Sequence, residues 1–372
     1  MASARALLDA VLTLPVTIEA VTTAQLLLPG AMGRITTIVE LHGDGHTGRG
    51  EDVAYAADTQ ALLPDAFAAL GSTITGTWTI ESLSDVLEAH PLRVPQGSMG
   101  DDKPGFHRWA LESAALDLAL RQAGTDLAAL VGATWKPVRV SVSMGLGDPP
   151  SAAIVHHWLE RDPSMTFKLD SARSWSEALV TELAATGAVS TVDFKGLYTG
   201  DWIDTSPDPV LYEAVSRRLP DALLEDAKLS PEHLDALDED ALARLAWDYP
   251  ITKPADIPGL PGSTATFSDL RPKAINIKPS RFGSLERLFG TIALCEQEGI
   301  PCYAGGQFEL GLGRTQVQSI ASLCFADAPN DCAPVLFHGA TPDSDVPLGP
   351  VEIPAGVGFG WEAPTPALTH IA

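Results

Sequence analysis

The chain has 372 residues, and its 32 glycines and 29 prolines are spread along it without a low-complexity run. With 45% hydrophobic residues, this composition argues against disorder, and the length fits a barrel of roughly 250 residues with a smaller accessory domain. The 48 acidic residues against 24 lysines and arginines give a formal charge of −24. Nucleic acids and anionic membranes are bound through basic patches, so this charge argues against both as partners.

The N-terminal apolar stretch does not predict export. It is interrupted by Asp9 and preceded by a single basic residue, Arg5, which makes it a poor signal peptide. No run approaches the roughly 18 apolar residues of a membrane span. The four cysteines lie outside any C-x-x-C arrangement, so we expect reduced thiols and a cytoplasmic location.

The first third of the sequence predicts an α+β domain. Residues 16–55 alternate apolar and polar side chains between glycine-rich turns, as antiparallel strands do. Helical spacing follows and is clearest in residues 109–123, where Leu111 and Leu118 share one face. We expect this capping domain to span residues 1–135.

From residue 136 the sequence alternates strand-like and helix-like segments. The first strand-like run is 138–144 and the last is 334–337. Repeated βα units predict a parallel barrel with right-handed crossovers. We therefore expect an α/β fold, a modified TIM barrel of the (β/α)7β type over residues 136–339, followed by a tail, residues 340–372, that packs back on the capping domain.

Five predicted barrel strands end in a charged residue. Asp193, Glu225 and Asp248 end three consecutive runs, and the neighbouring runs on either side carry Lys168 and Lys278. Because a barrel brings the C-terminal ends of its strands to one face, these side chains are expected to converge. Three carboxylates suit a hard divalent cation. The pattern predicts metal-assisted proton chemistry next to a carboxylate.

The identity of two metal ligands stays open at this point. Glu225 is followed by Asp226, and either carboxylate could face the site. Asp269 competes with Asp248 as the third ligand, although it lies in what reads as a helix-to-strand connection. A single acid at a strand end is more often a helix cap or a turn former, so the coincidence of three acids between two lysines carries the prediction.

The order Lys, Asp, Glu, Asp, Lys on successive strands behind an α+β domain resembles the enolase superfamily, and within it the muconate lactonizing enzyme subgroup. The resemblance covers nearly the whole chain and favours Glu225 over Asp226. Further matching segments are Gly48-Arg-Gly-Glu51, Lys278-Pro-Ser-Arg-Phe-Gly283 and Glu309-Leu-Gly-Leu-Gly313.

The resemblance implies a metal-dependent isomerase or lyase that removes the proton α to a substrate carboxylate. The reaction would be racemisation or epimerisation, cycloisomerisation, or an o-succinylbenzoate synthase-like dehydration. Mg²⁺, with Mn²⁺ possible, would be held by Asp193, Glu225 and Asp248. Lys168 and Lys278 would be the catalytic residues on opposite sides of the barrel mouth.

The resemblance also implies a small carboxylate substrate and a homo-oligomer. Tyr303, Gln307 and Glu309 are candidates to bind the substrate. Residues 22–33, expected to form a capping-domain loop, are apolar, which indicates a hydrophobic or uncharged distal group.

The sequence departs from the family at two strand ends. The subgroup has Lys-x-Lys on the second strand, where this chain has only Lys168, followed by Asp170. If Lys168 matches the second lysine the base is kept, and the distance to the next helix favours this; if it matches the first, Asp170 has replaced the base. On the third strand, Lys195 replaces the asparagine of Asp-x-Asn and projects to the same side as Asp193. We expect Asp170 and Lys195 to pair across the strands; the alternative is that Lys195 reaches solvent.

These departures also support an interpretation of a different class. A catalytically silent relative would bind a small carboxylate, or serve as an oligomer subunit, without turnover. Such a protein could keep its metal cage, so metal binding would not reveal it. Deuterium exchange at the α-carbon of bound carboxylates would distinguish the two interpretations.

Overall fold

The computed structural model describes residues 3–30, 33–95, 97, 103–198 and 208–371. Over these residues the chain forms a four-stranded antiparallel sheet, a two-stranded antiparallel ribbon and a curled seven-stranded parallel sheet. The predicted fold class, a capping domain in front of a modified barrel, is therefore confirmed.

In the N-terminal region, the described residues form five helices and five strands. They are α1 (Ala4–Leu12), β1 (Pro15–Ile18), β2 (Ala20–Leu28), β3 (Arg34–Gly43), β4 (His46–Asp52), α2 (Ala57–Ile74), β5 (Gly76–Thr79), α3 (Ile80–Ala89), α4 (Pro104–Gln122) and α5 (Leu127–Leu130). Strands β2, β3 and β4 form an antiparallel meander, while β1 pairs with β5. One predicted feature is wrong: most of segment 22–33 is strand β2, because its residues up to Leu28 pair with β3; residues 31 and 32 lie outside the described part.

The second region alternates strands and helices. Its elements are β6 (Ser141–Met144), α6 (Ala153–Arg161), β7 (Thr166–Asp170), α7 (Glu177–Thr186), β8 (Val189–Asp193), α8 (Pro209–Arg218), β9 (Leu223–Glu225), α9 (Pro231–Leu234), α10 (Glu239–Leu242), β10 (Leu245–Trp247), β11 (Ala274–Ile277), α11 (Pro279–Phe282), α12 (Leu285–Glu298), β12 (Cys302–Ala304) and α13 (Leu312–Cys324). The seven strands are neighbours in chain order and all run parallel. Their C-terminal ends therefore share one edge, as the sequence predicted.

The eighth barrel position differs from the prediction. The predicted strand 334–337 contains a 3-10 helix, Val335–Phe337, and residues 330 and 331 make single parallel bridges to Val140 and Gly305 instead. Asn330 closes this gap, because its side-chain nitrogen donates to the Arg139 carbonyl oxygen at 3.0 Å and its side-chain oxygen accepts from the backbone nitrogen of Ala304 at 2.8 Å. Pro334 has no backbone N–H to donate to a neighbouring strand, which disfavours a strand at this position.

Strand β4 packs unusually close to helix α4. A Cβ atom at Gly48 or Gly50 would collide with the α4 backbone, so only glycine allows this approach. The contact delivers the next residue, Glu51, to the barrel. Its buried carboxylate accepts hydrogen bonds from the backbone nitrogens of Leu310, Gly311 and Gly313, at the start of α13. The two regions are thereby joined at a helix N-terminus, where a carboxylate is favoured.

The C-terminal tail runs over both regions. Strand β13 (Thr369–Ile371) adds to the outer side of β2, while Val351 pairs with Val138 before the first barrel strand. Between them, the Trp361 backbone nitrogen donates to the Thr315 hydroxyl oxygen at 3.0 Å.

All four cysteines are free in the structure, with Cys302 and Cys324 only partly buried. Cys295 and Cys332 are buried, which suits small apolar side chains in a core. Among the helices of the described residues, none has the length and apolar character needed to cross a membrane.

Candidate active site

Three buried carboxylates meet at the C-terminal edge of the parallel sheet. Asp193 ends β8, Glu225 ends β9, and Asp248 directly follows β10. One oxygen from each lies within 4.8 Å of the other two, and no member is more than 1% exposed. The competing candidate Asp269 is exposed and lies outside this group. Three buried like charges are costly unless cations compensate them, so the surrounding groups determine what the cluster does.

Asp226 has a different task from its neighbour Glu225. Its backbone is left-handed, with a φ of 48°, which turns the side chain towards the next strand. Its carboxylate accepts hydrogen bonds from the backbone nitrogens of Asp248 and Tyr249, both at 2.9 Å. Asp226 therefore fixes the strand end that carries Asp248, and Glu225 is the acid that joins the cluster.

Lys168, on β7, lies among carboxylates. Its ammonium nitrogen contacts Glu225, and it lies 3.5 Å from an Asp193 oxygen and 3.3 Å from an Asp331 oxygen. Burial would lower the pKa of Lys168, but Glu225 and the other carboxylates outweigh it and raise this pKa well above its usual value. Lys168 is therefore held as an ammonium group in this arrangement.

Two cations hold Asp248 on the other side of the cluster. The Lys278 ammonium lies 2.9 Å from one of its oxygens, and Arg281 lies 2.7 Å from the other. Arg281 also donates to the Tyr198 hydroxyl oxygen at 2.8 Å, and that hydroxyl donates to Asp248 at 3.3 Å. Burial would raise the pKa of Asp248, but Arg281 and Lys278 dominate and lower it.

Glu225 is braced from behind by two neutral groups. Asn276 donates its side-chain nitrogen to a Glu225 oxygen at 3.2 Å, and the Tyr303 hydroxyl donates to the same oxygen. Tyr303, predicted to bind substrate, is thus buried against the cluster and does not line the cavity described below.

The other two predicted substrate-binding residues occupy different environments. Gln307 lines the cavity and donates its side-chain nitrogen to the Tyr55 hydroxyl oxygen at 2.9 Å. Glu309 does not line it; its carboxylate lies 3.0 Å from Arg314 and accepts the Gln307 backbone N–H at 2.7 Å. Glu309 therefore contacts Arg314 and the Gln307 backbone instead of the cavity.

The two departures from the family pattern pair with each other. The Lys195 ammonium lies 3.1 Å from an Asp170 oxygen, so the pairing predicted from the sequence is present. It also lies 2.9 Å from an Asp193 oxygen. Burial would raise the pKa of Asp193, but Lys195 and Lys168 outweigh burial and lower it to about 2.

The charges of the cluster suit a divalent cation. Burial, opposed by Lys168 and reinforced by Asp193 and Asp248, raises the pKa of Glu225 to about 8, so a further cation beside it would favour its ionised form. Carboxylate oxygens at this spacing are the donors that hard cations take.

A cavity of about 600 Å³ opens onto this cluster. Lys168, Lys195 and Lys278 all reach its wall, so it lies between the β7–β8 side and the β11 side of the barrel mouth. The volume falls in the range of small-molecule sites. Much of the remaining wall is apolar and comes from the segments after β6, β7 and β12, including Leu146, Trp175 and Phe308.

Several residues of the site are not apparent from the sequence. Arg281 lies in a segment that matched the family, but its contact with Asp248 depends on the turn of α11. Asp331 sits at the eighth barrel position, where a two-residue bridge leaves no strand pattern to recognise. Tyr198 lies in the loop after β8, and nothing in the sequence around it indicates that it reaches Asp248.

Comparison with known proteins decides the family. The C-terminal domain model of DUF8230, a domain of unknown function, matches residues 134–339, and its N-terminal domain model matches residues 9–130. The chain belongs to the DUF8230 family. The two matches divide this DUF8230 protein close to the predicted start of the barrel.

The DUF8230 chain also has named relatives. It is 25% identical over 352 residues to an o-succinylbenzoate synthase of Geobacillus kaustophilus, covering 86% of this chain and 83% of the relative. It is 23% identical over 358 residues to an N-succinylamino acid racemase of Thermus thermophilus, covering 91% and 90%.

Solved structures show where the DUF8230 fold belongs. A dipeptide epimerase from Enterococcus faecalis matches with a TM-score of 0.64 at 16% identity, over 92% of this chain and 98% of that one. A muconate lactonizing enzyme from Klebsiella pneumoniae matches with a TM-score of 0.63 at 17% identity, over 92% and 95%. The resemblance to the enolase superfamily and its muconate lactonizing enzyme subgroup is confirmed.

Proposed function

We propose that this protein is a Mg²⁺-dependent enzyme that removes the proton α to the carboxylate of a small substrate. One observation carries the proposal: three buried carboxylates end adjacent barrel strands, and lysines on both sides of them open to a single cavity. The named relatives support it, since they are a synthase and a racemase whose names specify carboxylate compounds.

Asp193, Glu225 and Asp248 would hold the metal. Their oxygen-only donor set accommodates Mg²⁺, and Mn²⁺ would also fit. When bound, the ion supplies charge neutralisation for the substrate carboxylate and for the second negative charge that appears as the α-proton leaves. Asp226 keeps the Asp248 backbone in place for this task.

The side chains around the cavity would bind and orient the substrate. Lys278 faces the reacting carbon from the β11 side, and Lys168, with Lys195 beside it, stands on the β7–β8 side. Gln307 lines the cavity and has a side-chain oxygen that is buried without a hydrogen-bond partner, so it could accept a hydrogen bond from the substrate. Tyr303 and Glu309 would act indirectly, by bracing Glu225 and Arg314.

The capping domain contributes to the same cavity. Tyr55 lines the cavity, and its hydroxyl oxygen accepts a hydrogen bond from the side-chain amide of Gln307. Residues 1–135 would therefore close over a barrel of residues 136–339, and residues 340–372 would form the tail. Covering the cavity in this way would exclude bulk water, which would strengthen electrostatic interactions with the substrate.

Wild-type protein with Mg²⁺ in D₂O is expected to exchange the α-proton of at least one carboxylate. The panel is N-acyl amino acids, dipeptides and hydroxy acids, in both configurations, and the readout is α-deuteration by NMR. Label in both enantiomers would indicate racemisation, and loss of water would indicate an elimination. If no compound exchanges while carboxylates still bind, the protein is the silent relative considered above.

We also propose that the protein acts as a homo-oligomer in the cytoplasm. Closed symmetric assemblies are the usual form of soluble oligomers. Sedimentation at micromolar concentration should show a species larger than the 39.2 kDa chain, and a monomer alone would contradict the proposal.

A further inference from the structure

We propose that Lys195, oriented by Asp170, is the cation that contacts the substrate on the wall opposite Lys278, and that Lys168 instead holds the carboxylate cluster together. The assignment rests on the proposed function, because it names the groups that meet the substrate carboxylate. It departs from the sequence prediction, in which Lys168 alone serves this wall.

The ammonium of Lys168 is already surrounded by carboxylates. An ammonium group has three N–H donors. Three carboxylates surround that of Lys168, from Glu225, Asp193 and Asp331, and the side chain is 2% exposed. Any turn of this group towards the cavity would leave buried carboxylates without their cation, which is costly. Lys168 is therefore placed as a permanent bridge between strand ends.

Lys195 is placed differently. Its side chain is 17% exposed on the cavity wall, and two carboxylates contact its ammonium, Asp170 at 3.1 Å and Asp193 at 2.9 Å. The Asp193 contact is a hydrogen bond, Asp170 forms an ion pair, and the Tyr198 ring centroid lies 5.3 Å from the ammonium nitrogen. The ammonium therefore has N–H donors left for a partner on the open side. A substrate carboxylate held at the cluster would be that partner, since a charge-assisted hydrogen bond is the strongest contact an ammonium can make.

The backbone is fixed so that Lys195 faces this way. Lys195 has a φ of 50°, a left-handed conformation that is unfavourable for a non-glycine residue. Its backbone N–H donates to Asp193 at 2.9 Å, and that of Gly196 donates to the Asp226 carbonyl oxygen at 2.7 Å. A Cβ on Gly196 would collide with the backbone of Lys228. Strain that is maintained by this many contacts is typical of functional positions.

Asp170 acts as a positioning residue. It is the last residue of β7 and pairs in register with Asp193 on β8, so its carboxylate stands beside the strand end from which Lys195 leaves. It lies on the cavity wall and is more exposed than Lys195. The ammonium is thereby held between Asp193 and Asp170, at the cavity wall.

The test uses a ligand that binds but cannot react. N-acetyl-2-aminoisobutyrate has a carboxylate and a quaternary α-carbon without a proton. Its affinity is measured by calorimetry at saturating Mg²⁺, for full-length wild type and variants. Lys195→Met should weaken binding by about 10- to 100-fold, the size of a lost charge-assisted hydrogen bond, without lowering Mg²⁺ affinity. Lys195→Arg should recover most of the loss.

Two further variants complete the test. Lys273→Met, which replaces an exposed lysine outside the cavity, should keep the ligand affinity within about threefold at saturating Mg²⁺ and serves as the control. Asp170→Asn should weaken binding, but it should add nothing in the Lys195→Met background, because it acts through Lys195.

Unchanged affinity in Lys195→Met would overturn the inference, as would a wild type that does not bind the ligand. The proposed function is judged separately, by α-deuteration of reactive substrates. Wild type that binds in a Lys195-dependent manner without exchanging protons would refute turnover and support the Lys195 assignment.

Discussion

Lys278→Met is expected to slow α-proton exchange by a factor of about 10²–10⁴. Lys278 directly follows β11, lines the cavity, and has its ammonium 2.9 Å from an Asp248 oxygen. It therefore places a positive charge on this wall of the site. Methionine keeps the length of the side chain and removes the ammonium. The measurement is the initial rate of α-deuteration in D₂O, for each enantiomer of the best substrate.

The two enantiomers make this experiment specific. If Lys278 and the opposite wall serve different faces of the reacting carbon, Lys278→Met should reduce the exchange rate of one enantiomer much more than that of the other. In a one-base elimination, exchange would instead depend on the residues of one wall alone. Calorimetry must show that Mg²⁺ still binds, because Asp248 loses one of its two cationic partners, and Lys273→Met should behave as wild type. Wild-type exchange rates in Lys278→Met would remove Lys278 from the mechanism.

Lys168→Met is expected to lower the free energy of unfolding by about 3–5 kcal/mol in Mg²⁺-free buffer. The substitution leaves Glu225, Asp193 and Asp331 without the cation that lies between them. Added Mg²⁺ should restore much of the loss, because a ligand that binds only the folded state stabilises it. The measurement is urea unfolding of wild type and variant, each with EDTA and with excess Mg²⁺.

The response to Mg²⁺ separates this effect from simple damage to the core. Glu225→Gln removes one carboxylate and keeps the side-chain size, so it should reduce the stabilisation by Mg²⁺, whereas Lys168→Met should increase it. Equal stabilisation of all three proteins by Mg²⁺ would show that the ion binds elsewhere. Loss of stability that Mg²⁺ does not restore would mean that Lys168 is needed for packing rather than for charge.

The barrel strands and their charged ends could be predicted for a physical reason. A strand buried on both faces is apolar along its length and can end in charge only where it leaves the sheet. Asp193 and Glu225 therefore stand out after runs such as Thr191-Val192 and Leu223-Leu224. Their convergence follows from the parallel order of the strands.

Other parts of the site depend on geometry that short patterns do not encode. Whether Glu225 or Asp226 joins the cluster is decided by the left-handed backbone at Asp226, which single-residue preferences do not predict. The segment 334–337 was predicted as a strand from its apolar residues, whereas the barrel is closed by residues 330 and 331, where the side chain of Asn330 makes hydrogen bonds in place of a strand ladder. Apolar content alone cannot distinguish a full eighth strand from a two-residue bridge followed by a 3-10 helix.

The hydrogen bonds that the Glu51 carboxylate accepts from the backbone before and at the start of α13, here called the Glu51 clamp, limit how the site can open. Moving the capping domain away as a rigid body would leave this buried carboxylate without the N–H groups of Leu310, Gly311 and Gly313. The energetic penalty for such an unpaired charge makes a wide swing of the domain unfavourable. Substrate traffic must therefore pass through local rearrangement of the segments at the barrel mouth. The same clamp makes the two halves thermodynamically interdependent, so grafting either one onto a foreign partner would require the matching half of this contact.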